Sequence, residues 1–257
     1  MKPTAIALAG ALMLNLPAQA AGTQCEASSP AHTLALVELY TSEGCDSCPP
    51  ADKWLRALRD GGLGADRVVP ISLHVDYWDY IGWKDPFAKP LFSSRQREMA
   101  SIQNNRVVYT PQVMLAGKDY RGWARGGFGD DVKAINQKPA RARIRLALKA
   151  DAGDKVELVA EGHTAAAEAR DARLVVAWYE SGLASSVSAG ENRGNTLQHD
   201  YVVREWIGPL DFDKDMAKLT RTLSVPGKLD KGGVAAFVQN RRTGEVLQAL
   251  ALAMCKG

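Results

Sequence analysis

The tetrapeptide Cys45-Asp46-Ser47-Cys48 constrains this chain most, because of what stands on either side of it. Before it, residues 34–40 (LALVELY) form a short apolar run with β-branched and aromatic content, which predicts a buried strand. After it, Pro49-Pro50 precedes Ala51, Trp54, Leu55 and Leu58 at i, i+3, i+4 and i+7. That pattern predicts an amphipathic helix with proline in its first turn, ended by Gly61-Gly62. A C-x-x-C at a strand–helix junction reads as a redox pair. The helix N-terminus offers unpaired N–H groups and a positive dipole end, both of which favour a thiolate. Cys45 is expected to be the exposed nucleophile and Cys48 the resolving thiol, working through a mixed disulfide. Asp46 opposes the dipole, since it places a like charge beside any thiolate.

Two other readings of the pair stay open. It is also what an inert structural disulfide looks like. Half a zinc site is the other, but structural zinc needs four ligands. The remaining thiols are Cys25 and Cys255, and His32, His74, His163 and His199 show no paired ligand spacing. No metal ligand set and no cofactor is assigned. If 45–48 closes locally, Cys25 and Cys255 are left to form a structural disulfide spanning the chain.

Residues 1–21 (MKPTAIALAGALMLNLPAQAA) combine an early Lys2, an apolar run over 5–16 and a small-x-small Ala18-Gln19-Ala20. This is the pattern of a secretory signal peptide, cut after Ala20. Its apolar run is short for about 30 Å of hydrocarbon, and no later stretch reaches about 18 apolar residues. Export to a periplasmic or secreted location supplies an oxidising compartment in which disulfides persist. A formal charge of +3 gives no reason to expect nucleic acid as a partner.

Further strand signals in the first half are 68–75 (VVPISLHV) and 112–116 (QVMLA), with 119–122 as a hairpin partner. Helices are predicted within 86–105 and over 130–137. The second half changes character. Residues 141–149 alternate strictly, with Arg141, Arg143, Arg145 and Lys149 on one face, the wet side of an edge strand. Strand-like runs follow at 156–160, 173–179, 201–206, 219–225, 234–239 and 246–253. About seven short strands with turns between them predict an antiparallel β-sandwich.

Tyr109-Thr110-Pro111-Gln112 stands immediately before a strand. The order strand–CxxC–helix–strand–helix–X-Pro–strand is that of thioredoxin-like folds. There a cis-proline packs beside the cysteines, and the residue before it, here Thr110, offers its backbone to substrate. Residues 38–52 (ELYTSEGCDSCPPAD) and 74–87 (HVDYWDYIGWKDPF) resemble the motifs of a secreted bacterial family, domain of unknown function 1223. Arg95-Gln96, Tyr109-Thr110-Pro111-Gln112, Gly190-Glu191-Asn192 and residues 199–204 also match its pattern. The resemblance implies a thioredoxin-like first domain. It implies no activity. No tryptophan precedes Cys45 and no Gly-Pro separates the cysteines, which are departures from thioredoxin itself.

The expected architecture is therefore an α/β thioredoxin-like domain followed by an antiparallel β-sandwich domain, α+β overall. The boundaries are a signal peptide over 1–20, a first domain over 21–138 and a second over 139–257. The expected function is thiol–disulfide exchange through Cys45 and Cys48 on a protein or small-molecule thiol or disulfide. Thr110 and Pro111 would flank the substrate, and His74, Asp76, Tyr77, Trp78 and Trp83 would shape a recess beside the thiols. The aromatics of that segment are equally suited to packing, and His74 to a satisfied structural role. The alternatives are a non-enzymatic binding or accessory protein with a static disulfide, and a metal-handling protein using Cys45, Cys48 and His74.

Overall fold

The computed structural model describes residues 23–150, 154–225 and 231–255. The expected signal peptide lies outside the described residues, as does most of the turn over 151–154. Three strands carry the first half: β2 (Ala35–Thr41), β3 (Val68–His74) and β4 (Gln112–Leu115). β2 pairs parallel with β3 and antiparallel with β4, and every one of its residues is buried. That is why it reads as an unbroken apolar run rather than an alternating one. Helices α1 (Pro49–Ala57), α2 (Pro90–Ile102) and α3 (Phe128–Asn136) pack on this sheet through Ala51, Leu55, Phe92, Met99 and Val132. The turn over Ala116-Gly117 has positive φ at both residues and leads into the two-residue β5 (Lys118–Asp119).

Part of the second half continues this sheet. Strands β8 (Ala172–Glu180), β11 (Val202–Asp211), β13 (Gly232–Asn240) and β14 (Val246–Ala253) extend it. The result is eight strands in the order β14-β13-β8-β11-β3-β2-β4-β5, joined across the halves by the parallel pairing of Val202 with Ser72. The boundary expected at 138–139 is thus crossed by a continuous sheet. A second sheet, in the order β1-β6-β7-β12, is made of β1 (Gln24–Ser28), β6 (Ala142–Ala150), β7 (Lys155–Thr164) and β12 (Met216–Ser224).

Alternate residues of β8 and β13 divide between two cores. Val175, Ala177, Tyr179, Ala235 and Phe237 join the helix-covered core. Leu174, Val176, Trp178, Val234, Ala236 and Val238 meet the second sheet. The second sheet packs against this face, so one layer of the pair is a continuation of the first half's sheet.

One expectation is corrected here. β6 is not an edge strand, because β1 from the N-terminal arm pairs along its outer side. Two arginines of the basic row are partnered: Arg145 lies 2.6 Å from Glu26 and 3.5 Å from Glu161, and Arg141 holds Glu168 and Glu245. The Cys25–Cys255 disulfide is present, tying β1 to the residues after β14.

Candidate functional site

The Cys45–Cys48 disulfide closes at the junction of β2 and α1. Gln112, which opens β4, pairs with Tyr40 near the end of β2, so Thr110-Pro111 lies at the same end of the sheet as the disulfide. The Thr110–Pro111 peptide is cis. Trp78 connects the two features. A Cβ on Gly44 would stand 3.1 Å from that of Trp78, and the Trp78 Nε1–H donates to Thr110 Oγ1 at 2.7 Å.

The surroundings of the cysteines differ from the expectation in two ways. First, Cys45 is not exposed: both cysteines have 0% accessible surface, while Asp46 and Ser47 between them face outward. The second half reaches this backbone. Strands β9 (Leu183–Ser186) and β10 (Thr196–His199) form a polar hairpin whose loop is hydrogen-bonded to residues 43–46. Asn192, itself buried, donates from Nδ2 to the carbonyls of Glu43 and Cys45, both at 2.9 Å. Glu191 Oε2 accepts the Asp46 N–H at 3.1 Å. Second, the helix start offers few free donors. Cys48 is the N-cap, Pro49 and Pro50 have no N–H, and the Ala51 N–H already bonds to the Cys48 carbonyl at 2.9 Å.

Behind the disulfide lies a buried group of carboxylates and imidazoles. His74, the last residue of β3, is fully buried, and its Nδ1 is 2.7 Å from Asp85 Oδ2. Asp85 also accepts the N–H groups of Glu43 and Phe87, each at 2.8–2.9 Å. Burial pushes the Asp85 carboxyl up, but His74 and these N–H bonds outweigh it and hold it below the usual carboxylate range. His199, at the end of β10, places Nε2 3.0 Å from Glu43 Oε1 and Nδ1 3.9 Å from Asp52 Oδ1. Burial lowers His199, yet the Asp52 and Glu43 carboxylates reverse this and raise it to about 9. The two imidazoles meet edge to face, ring centres 4.9 Å apart.

The other residues named from sequence are placed as follows. Trp83 Nε1 donates to Glu43 Oε2 at 2.8 Å, holding the carboxylate from its other side. Tyr77 donates to Gln96 Oε1 at 3.1 Å, and Gln96 in turn donates to the Tyr109 carbonyl and to Gln112, both at 2.8 Å. Asp76 turns away to Ser93. All four residues Asp76, Tyr77, Trp78 and Trp83 are half-buried and hydrogen-bonded into the frame of the loop.

Sequence reasoning missed Glu43, Asp52, Asp85, His199 and Asn192 as members of one cluster. The signal for them was present only as fragments, since each sits inside one of the motifs quoted for the family resemblance.

The fold and site define a mixed α+β protein with a buried C-x-x-C disulfide backed by an ionisable cluster drawn from both halves. The chain belongs to the family described as "Protein of unknown function (DUF1223)", which matches residues 36–239. It is similar to an Agrobacterium tumefaciens protein of known crystal structure, 28% identical with a TM-score of 0.60, over 86% of this chain and 94% of that one. HBP35 of Porphyromonas gingivalis shares the fold at 15% identity, with a TM-score of 0.64, over 88% of this chain and 76% of that one. No curated protein matches the chain.

Proposed function

We propose that the protein is an exported, thioredoxin-like thiol–disulfide oxidoreductase that works through Cys45 and Cys48. The observation that carries the reading is the C-x-x-C disulfide at a strand–helix junction, at the same sheet end as the cis Thr110–Pro111 peptide. In the reduced protein, the Cys45 thiolate attacks a substrate disulfide and displaces one substrate thiolate. Cys48 then attacks the mixed disulfide, releases the second substrate thiol, and leaves the Cys45–Cys48 bond. Two electrons and two protons pass to the substrate.

Exchange requires access, so the Gly190–Asn192 loop must swing off the sulfurs before either step. With prolines at the first two helical positions and Asp46 between the cysteines, the thiolate receives little local stabilisation. That favours the disulfide and gives the pair a reducing poise. Two disulfides are what an oxidising compartment sustains, and among the described residues no helix is long and apolar enough to cross a membrane. The disulfides support periplasmic or secreted residence.

The competing reading is a binding or accessory protein with a static disulfide, and it draws on the complete burial of both sulfurs. A Cys48→Ser variant separates them. If the protein exchanges, it accumulates as a mixed disulfide on Cys45 when incubated with a disulfide-containing protein. If Cys45 in that variant neither traps a partner nor reacts with a small disulfide, the static reading holds.

A further inference from the structure

The cluster behind the disulfide contains two buried nitrogens that the protein leaves without a hydrogen bond: His74 Nε2 and His199 Nδ1, among the described residues. Each belongs to an imidazole whose other nitrogen is tied to a carboxylate, Asp85 at 2.7 Å and Glu43 at 3.0 Å. An orphaned buried polar atom is costly, and two on neighbouring rings call for an explanation. Their carboxylate partners supply one. A carboxylate on the far nitrogen fixes ring orientation and raises basicity, and this is how metal-ligating histidines are normally held. Asp52 completes the set. One ligating atom from each of Asp52, His74 and His199 lies within 4.8 Å of the other two. All three residues are at least nine-tenths buried.

We propose that Asp52, His74 and His199 form a binding site for a first-row divalent transition metal such as zinc, with Asp85 and Glu43 as the carboxylates that orient the two imidazoles. Two imidazoles, with the metal displacing the proton from His199, and one carboxylate suit zinc-like ions and not calcium or magnesium, which prefer oxygen. Tetrahedral zinc with bonds of about 2.0–2.1 Å holds its donors about 3.4 Å apart, so the site tightens by roughly 1 Å on binding. The ligands come from three elements: α1, β3 and β10. A bound ion would therefore pin the β9–β10 hairpin, and with it the loop bonded to Cys45, to the first half. No sulfur is required. The site is distinct from a cysteine-based metal centre and independent of whether the disulfide exchanges.

The test uses the disulfide-intact protein, purified without a histidine tag and stripped with chelator, titrated with zinc alone at pH 8. One equivalent is expected to bind, and to raise the melting temperature. His199→Gln and His74→Gln should each lower affinity at least ~100-fold, and Asp85→Asn ~10–100-fold, whereas His163→Gln on β7 changes nothing. Zinc-edge X-ray absorption of the wild-type protein gives a second readout that needs no variant. It should show two imidazoles and no sulfur. Sub-stoichiometric binding, affinity untouched in folded His74 and His199 variants, or a sphere without imidazole overturns the proposal.

Discussion

The hairpin loop over the disulfide makes a quantitative prediction. Asn192 is the only side chain that donates to both the Glu43 and Cys45 carbonyls among the described residues, and it is 3% exposed. Asn192→Ala removes two hydrogen bonds that exist only while the loop is closed. Each contributes about 0.5–1.5 kcal/mol net, and the Glu191 contact to Asp46 remains. The opening equilibrium should therefore shift by about 1–3 kcal/mol, or roughly 5- to 150-fold at 1.4 kcal/mol per factor of ten. If opening limits access, the rate at which dithiothreitol reduces Cys45–Cys48 rises by that factor. The assay is a timed pulse of reductant, rapid alkylation, and mass spectrometry of the peptide carrying residues 45 and 48. Cys25–Cys255 in the same molecule serves as an internal reference, because its environment does not include the loop. A change below about twofold in a folded variant would mean that the loop does not gate the sulfurs.

Three further perturbations test the frame around the site. Arg95 donates to Glu38 at 2.7 Å and stacks over Trp206 and Phe237, with Glu38 fully buried. Arg95→Met should cost about 3–5 kcal/mol by denaturant unfolding, and Glu38→Gln in the same chain should recover part of it; strict additivity would refute the coupling. Replacing both Cys25 and Cys255 with serine opens a loop of sequence separation 230 and should cost about 5 kcal/mol in the loop-entropy view; a loss under about 1 kcal/mol would show that β1 docks without its clasp. Asp119 is pushed up by burial, but hydrogen bonds from Gln112, Tyr109 and Arg121 prevail and hold it below the usual carboxylate range. Its contribution is therefore full above about pH 4 and is lost as pH falls through its lowered value. Asp119→Asn should flatten the acid limb of the stability curve, and an unchanged limb would exclude it.

Local chemistry made the frame of the site legible. Cys45 and Cys48 announce themselves by spacing, and Thr110-Pro111 by its place before a strand. The apolar strands were equally plain, since burial on both faces writes itself as an unbroken run. The hairpin β9–β10 was not. Its burial alternates along LASS and TLQH, two short polar segments with no apolar periodicity to find. β1 escaped for the same reason, being a five-residue polar strand whose partner lies over a hundred residues away.

The charged cluster was hidden by sequence distance. Glu43 and His199 are 156 residues apart, and Asn192 is 147 from Cys45. Only the sheet that joins the halves brings them together, through β3 and β11. This bears on why the second half is attached. An appendage that merely covered a sheet edge would need apolar contacts and nothing more. This one delivers an amide to the Cys45 carbonyl, a carboxylate to the Asp46 N–H and an imidazole between Glu43 and Asp52. Polar groups aimed at one point from a distant hairpin are costly unless all are satisfied, so the hairpin and the C-x-x-C must fold as one unit. Asn192 thus holds the backbone of the C-x-x-C, and His199 holds the carboxylates of Glu43 and Asp52 that flank it in sequence. Removing the second half would leave the Glu43 carboxylate with Trp83 but without His199, and the Glu43 and Cys45 carbonyls without Asn192.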